Sequence, residues 1–126
     1  MIQDNVRRVF SEVNDVCLKA GRDPKEVTII GVTKTVPIEG IQEAINAGIV
    51  HIAENRVQEA ESKFPSLLAA NPQIKTHIIG HLQSNKAKDV IKVVSLIQSV
   101  DSLKLASEID KQAAKAGMRV LFLSRK

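Results

Sequence analysis

Tryptophan and tyrosine are absent from this 126-residue chain, and its aromatic content is 2%, all of it phenylalanine. The net charge of +4 favours anionic partners in a general way. Single-strand nucleic-acid binders pair such charge with stacking aromatics, however, so nucleic acid is not the expected partner. Cysteine occurs once, as Cys17, which excludes an internal disulfide and fits a reducing cytoplasm. It falls on the apolar stripe of a helical pattern, where a thiol is buried and inert rather than nucleophilic. No apolar run approaches the ~20 residues of a membrane helix, and no apolar core follows the charges of Met1 to Arg8 as a signal peptide requires. Also missing are a G-x-G-x-x-G fingerprint, a G-x-x-x-x-G-K-[ST] phosphate loop and a G-x-S-x-G elbow, which argues against dinucleotide binding, nucleotide hydrolysis and serine-based hydrolysis. The three histidines give no metal set. His77 and His81 flank one strand end in different directions, and His51 alternates with core residues, as a satisfied, partly buried side chain does.

What is present is a repeated strand and helix pattern. Hydrophobic residues at 44% and charged residues at 25% are those of an ordinary soluble protein, and residues 1–126 read as a single domain. From Asp4 to Ala20, the residues Val6, Val9, Phe10, Val13, Val16, Cys17 and Ala20 recur at helical spacing, and Gly21 stops the helix. The β-branched run Val27 to Thr33 reads as a strand buried on both faces. Pro37 then opens a helix bearing Ile38, Ile41, Ala44 and Ile45, closed by Gly48. The unit recurs with a strand at Ile49 to Ala53 and a helix capped by Asn55 that should break at Pro65. It recurs again with a strand at Lys75 to Ile79 and a helix capped by Ser84 or Asn85 that carries Val90, Ile91 and Val94. A strand near Leu96 to Val100 ends at Asp101-Ser102, its helix bears Leu103, Ala106, Ile109 and Ala113, and a last strand spans Met118 to Leu123. Lys86, Lys88 and Lys92 do not share a helical face and read as solvated surface.

About five such units without hairpin signals specify an α/β fold with an all-parallel sheet and right-handed crossovers. Two architectures satisfy this pattern: an open doubly wound flavodoxin-like sheet, or part of a (β/α)8 TIM-like barrel of about five strands. Periodicity does not decide between them. In both, functional groups gather at the C-terminal ends of the strands, here Thr33-Lys34, Glu54-Asn55, His81 to Ser84 and Asp101-Ser102. Lys34 is the residue on which chemistry can hang, because a strand-end lysine with its stem among apolar neighbours loses solvation, and the neutral amine so favoured can form a Schiff base. The plain alternative is a solvated lysine in a strand-to-helix loop.

Three segments carry a resemblance: Gly31-Val-Thr-Lys34-Thr-Val-Pro37, Ala53-Glu-Asn-Arg-Val-Gln-Glu59 and His77-Ile-Ile-Gly-His-Leu-Gln-Ser-Asn-Lys86. They resemble the pyridoxal phosphate homeostasis proteins, also called proline synthetase co-transcribed proteins, and the third follows the family's H-x-[IV]-G-x-L-Q-x-N-K core. Ser99-Val-Asp-Ser102 and the helix after it continue the likeness. The resemblance implies a barrel related to the N-terminal domain of alanine racemase. It implies that Lys34 holds pyridoxal 5′-phosphate as a Schiff base, with Asn55 beside the cofactor and His81 near the same barrel mouth. The sequence departs from the pattern at Thr76, Val36 and Ala53, and diverges at Leu123 to Lys126, where the family continues into the segments that bind the phosphate and face the pyridine nitrogen. The implied protein is thus a truncated, cytoplasmic cofactor-binding and homeostasis protein without committed turnover, expected to self-associate as a homodimer through an open barrel edge. A degenerate half-barrel serving as an interaction module is the second reading, and a racemase-like enzyme the third.

Overall fold

The computed structural model describes residues 2–100, 103–116 and 121–124. Helix α1 (Ile2–Lys19) has Asp4 in its first turn and Lys19 in its last, each complementing the helix dipole. It ends in a left-handed Gly21 with φ 71°, while the Gly21 N–H donates to Leu18 O and the Arg22 N–H to Cys17 O, which satisfies the last carbonyls. The remaining elements are β1 (Ile30–Val32), α2 (Ile38–Asn46), β2 (His51–Glu54), α3 (Val57–Ala70), β3 (Lys75–Ile78), α4 (Ala87–Val90), β4 (Leu96–Val100), α5 (Leu103–Ala116) and β5 (Leu121–Ser124).

The five strands are parallel and ordered β1-β2-β3-β4-β5, each paired with its neighbour in sequence. That order settles the choice left open by periodicity. A doubly wound sheet reverses direction at a switch point, whereas crossovers that always advance one strand place the helices on one face and bend the sheet into an arc of a barrel. Strand register assigns the two faces. Ile52, Ile78 and Ile97 turn toward the helices and join Ile41, Phe64, Leu67, Val90, Leu105 and Ile109 in the core. Val32, Ala53 and His77 share the opposite, concave face, where Val32 remains 47% exposed.

Several boundaries differ from the sequence reading. Pro65 does not break α3. The ring sits on the exposed side, where water can serve the Glu61 carbonyl deprived of its partner, while the buried flanking residues Phe64 and Leu67 keep both halves in register. Asn55 does not cap α3: Arg56 occupies the N-cap without a side-chain bond. Neither Ser84 nor Asn85 caps a helix, because both lie inside a three-residue 3₁₀ turn (Ser84–Lys86) that leads into the single turn of α4. Of the run from Val27, only Ile30–Val32 forms strand. On α1 the buried stripe is narrower than the apolar pattern: Cys17 is buried as expected, but Val9 and Val16 are exposed. Asp101, Ser102 and the segment Met118 to Val120 lie outside the described residues.

Candidate functional site

β1 hands over to a tight turn in which the Val36 N–H donates to Thr33 O at 3.1 Å, leaving Lys34 and Thr35 at its tip. Thr35 has φ 63°, a left-handed conformation that a β-branched residue adopts only at a cost of about 1–3 kcal/mol, so the surroundings must hold it there. Lys34 is exposed. The apolar enclosure of its stem expected from the sequence is not present among the described residues.

The supports lie beneath the turn. The Thr33 N–H donates to Ala53 O at 2.9 Å, and the Thr33 hydroxyl reaches both Ala53 O at 3.1 Å and Glu54 Oε2. From α3, Lys63 Nζ donates to Thr33 O at 3.0 Å, to Glu54 Oε2 at 3.1 Å and to Glu59 Oε2 at 3.1 Å. Burial opposes the Lys63 charge, yet hydrogen bonds to the two carboxylates outweigh it and raise the lysine above its ordinary pKa. The hydrogen bond and the charge of Lys63 outweigh burial and hold Glu59 below the usual carboxylate range. Glu54 is fully buried, and its Oε1 has no hydrogen-bond partner among the described residues. The sequence reading missed this cluster. Its one local signal was Glu59 four residues before Lys63 on a helix.

The ends of β2 and β3 also meet. Gly80 lies so close to Asn55 that an added Cβ would collide with the Asn55 backbone, so glycine is required there for contact rather than for conformation. Half-buried Asn55 therefore borders the end of β3. His81 is exposed and lines a cavity of about 360 Å³ with Ser84, Asn85 and Lys104, whose lining includes neither Lys34 nor Asn55.

A second cluster runs across the concave face. His51 Nδ1 and His77 Nε2 are 3.0 Å apart, and His77 Nδ1 is 3.0 Å from Gln98 Nε2. The partly buried, satisfied His51 read from the sequence is found, but its partner is His77, and only the register of β2 on β3 brings the pair together. Among the described residues no group of three or more histidine, cysteine or acidic side chains could hold a metal. Burial, and then the proximity of His51, push His77 down to about 4 from its ordinary 6.5. A histidine held neutral in the fold but free to protonate when unfolded makes stability fall as pH drops from 6.5 toward 4. The slope should reach at most about 1.4 kcal/mol per pH unit. Urea denaturation across that window is expected to show this loss in the native chain and a shallower one in His77→Gln.

No family model matches the sequence. A pyridoxal phosphate homeostasis protein of Aquifex aeolicus is 39% identical over 112 residues, 89% of this chain and 48% of the relative. The chain belongs to the pyridoxal phosphate homeostasis protein family. Another member, from Synechocystis, is 46% identical over 91 residues, 71% of this chain and 41% of its own length. Solved structures agree with the family assignment. A Bifidobacterium adolescentis protein of unknown function superposes with TM-score 0.90 at 37% identity, covering 97% of this chain and 53% of that one. PipY of Synechococcus elongatus with pyridoxal phosphate bound superposes with TM-score 0.70 at 38% identity, covering 83% and 49%. The chain thus spans about half the length of the pyridoxal phosphate homeostasis proteins it matches. No helix among its described residues is long and apolar enough to cross a membrane.

Proposed function

We propose that this chain is a cytoplasmic pyridoxal 5′-phosphate binding and homeostasis protein in which Lys34 is the amine that takes the cofactor. The observation that carries this reading is an exposed lysine on a strained, tightly supported turn at the C-terminal end of β1, in a chain of this family. The residues suit the group: an accessible amine at Lys34, the Asn55 amide at the next strand end, and His81 beyond it at the end of β3. Bound there, pyridoxal 5′-phosphate supplies an aldehyde that condenses with a lysine amine and releases water. The protein's part is to hold that amine in place and open to the ligand. A role without committed turnover is supported by the engagement of both supporting carboxylates, Glu54 and Glu59, with Lys63, which leaves neither free as an acid or base for the turn. The test is a titration of imine absorbance with pyridoxal 5′-phosphate, in which the native chain gives a saturable signal and Lys34→Ala gives none.

The interaction-module reading is favoured by the unpaired edges β1 and β5 of the described sheet and by Val32, 47% exposed on the concave face at the β1 edge, while Ala53 and His77 on that face are buried. We propose that two copies of the 126-residue chain pair through these edges as a homodimer, since exposed strand edges invite pairing and two-fold closure is the commonest solution. Sedimentation at micromolar concentration is expected to show a dimer, and a stable monomer contradicts the pairing.

A further inference from the structure

The turn that carries Lys34 is gripped at its base by one charged cluster from β2 and α3. Before Lys34, the Thr33 carbonyl accepts from Lys63 Nζ at 3.0 Å and the Thr33 hydroxyl is tied to Glu54 Oε2. The same Thr33 carbonyl accepts from the Val36 N–H at 3.1 Å, which closes the turn over Lys34 and Thr35. Lys63 in turn bonds Glu54 and Glu59 at 3.1 Å each. We propose that Lys63, held by Glu54 and Glu59, is a positioning residue for Lys34: by gripping the Thr33 carbonyl that closes the turn, the cluster fixes the left-handed Thr35 and thereby aims the exposed amine into the strand-end site.

Three features favour this function over a purely structural one. A buried carboxylate with one unpartnered oxygen lowers stability relative to an apolar core, so the cluster is not explained by the stability it gives. Its contacts converge on the carbonyl and hydroxyl of Thr33, the residue before Lys34, rather than on distant elements. Furthermore, the φ of 63° at Thr35 is a strain that relaxes unless something opposes it. An amine on a relaxed loop spreads over many orientations, and condensation with a bound aldehyde slows accordingly.

This inference rests on the reading of Lys34 as the reactive amine, and its test separates the two. Lys63→Met strips the counter-charge from buried Glu54 and so disturbs the whole fold. The informative variants are therefore Glu59→Ala, at a side chain 33% exposed, and Thr33→Val. Amide hydrogen exchange in the cofactor-free chain reports the grip. Reduction with borohydride in the presence of pyridoxal 5′-phosphate, read by mass spectrometry as the share of tag on Lys34, reports its consequence. Both variants are expected to speed exchange at Val36, whose N–H closes the turn on Thr33 O, by about tenfold and to lower the Lys34 share similarly, the effect of losing one hydrogen bond to a charged group. Glu59→Gln, which keeps an acceptor oxygen, should recover most of both, and Lys92→Met on the surface should change neither. Unchanged exchange in Glu59→Ala overturns the grip. Faster exchange with an undiminished Lys34 share overturns the positioning role, because the backbone is then held without placing the amine. No tag on Lys34 in the native chain overturns the cofactor reading, and with it this inference.

Discussion

Lys63→Met is expected to lower stability by about 3–5 kcal/mol, the cost of leaving a buried charge without its partner. Glu54 is fully buried, and its Oε2 is served only by Lys63 and the Thr33 hydroxyl, while Oε1 has no partner among the described residues. Removing the cation therefore leaves a carboxylate in the core with a single hydroxyl donor. The same physics predicts that Lys63→Met combined with Glu54→Leu recovers a large part of the loss, since two apolar side chains need no counter-charge. Urea denaturation of the single and double variants measures both effects. A single variant within about 0.5 kcal/mol of the native chain would mean that the cluster is effectively solvated, as surface pairs are.

The second large effect concerns the phosphate. We expect pyridoxal and pyridoxal 5′-phosphate to bind the 126-residue chain with similar, low affinity. Each hydrogen bond to a charged phosphate contributes about 1.5–3 kcal/mol, so an amine engaged without several such donors beside it holds the phosphorylated form no better than the free aldehyde. Ser84 and Asn85 do not supply them: they sit in a three-residue turn, too short to offer the aligned N–H groups of a helix N-terminus, and they line the cavity of His81 rather than the turn of Lys34. Titration of imine absorbance with the two aldehydes compares them directly. A preference for the phosphorylated form that survives dialysis would show that a phosphate site is supplied after all, by exposed Arg56 at the N-cap of α3 or by a second copy.

Much of the fold was legible because each element carries its own local signal. β4 falls at Leu96–Val100 as read, and α2, with Pro37 before it and Gly48 beyond its end, lies where its apolar spacing put it. Strand order was not legible from periodicity, which describes each element and is silent on which neighbours which; the barrel arc was reached only through the family resemblance, and the order β1-β2-β3-β4-β5 bears it out. Pro65 misled because the rule against helical proline assumes that the lost bond matters, and on an exposed helix face water replaces it. Of the candidate site, Lys34 and Asn55 stand at adjacent strand ends, as a strand-end reading requires. The His51–His77 pair and the Glu54–Lys63–Glu59 cluster escaped, since each joins residues whose proximity depends on sheet register or on a helix folding back over its strand.

The most direct measurement is to map where pyridoxal 5′-phosphate attaches. After addition of the cofactor and reduction with borohydride, peptide mass spectrometry should place the pyridoxyl group on Lys34, with Lys34→Ala losing the tag and the other lysines contributing little. A tag spread over exposed lysines such as Lys86, Lys88 and Lys104 would be ordinary surface chemistry and would contradict the assignment of Lys34.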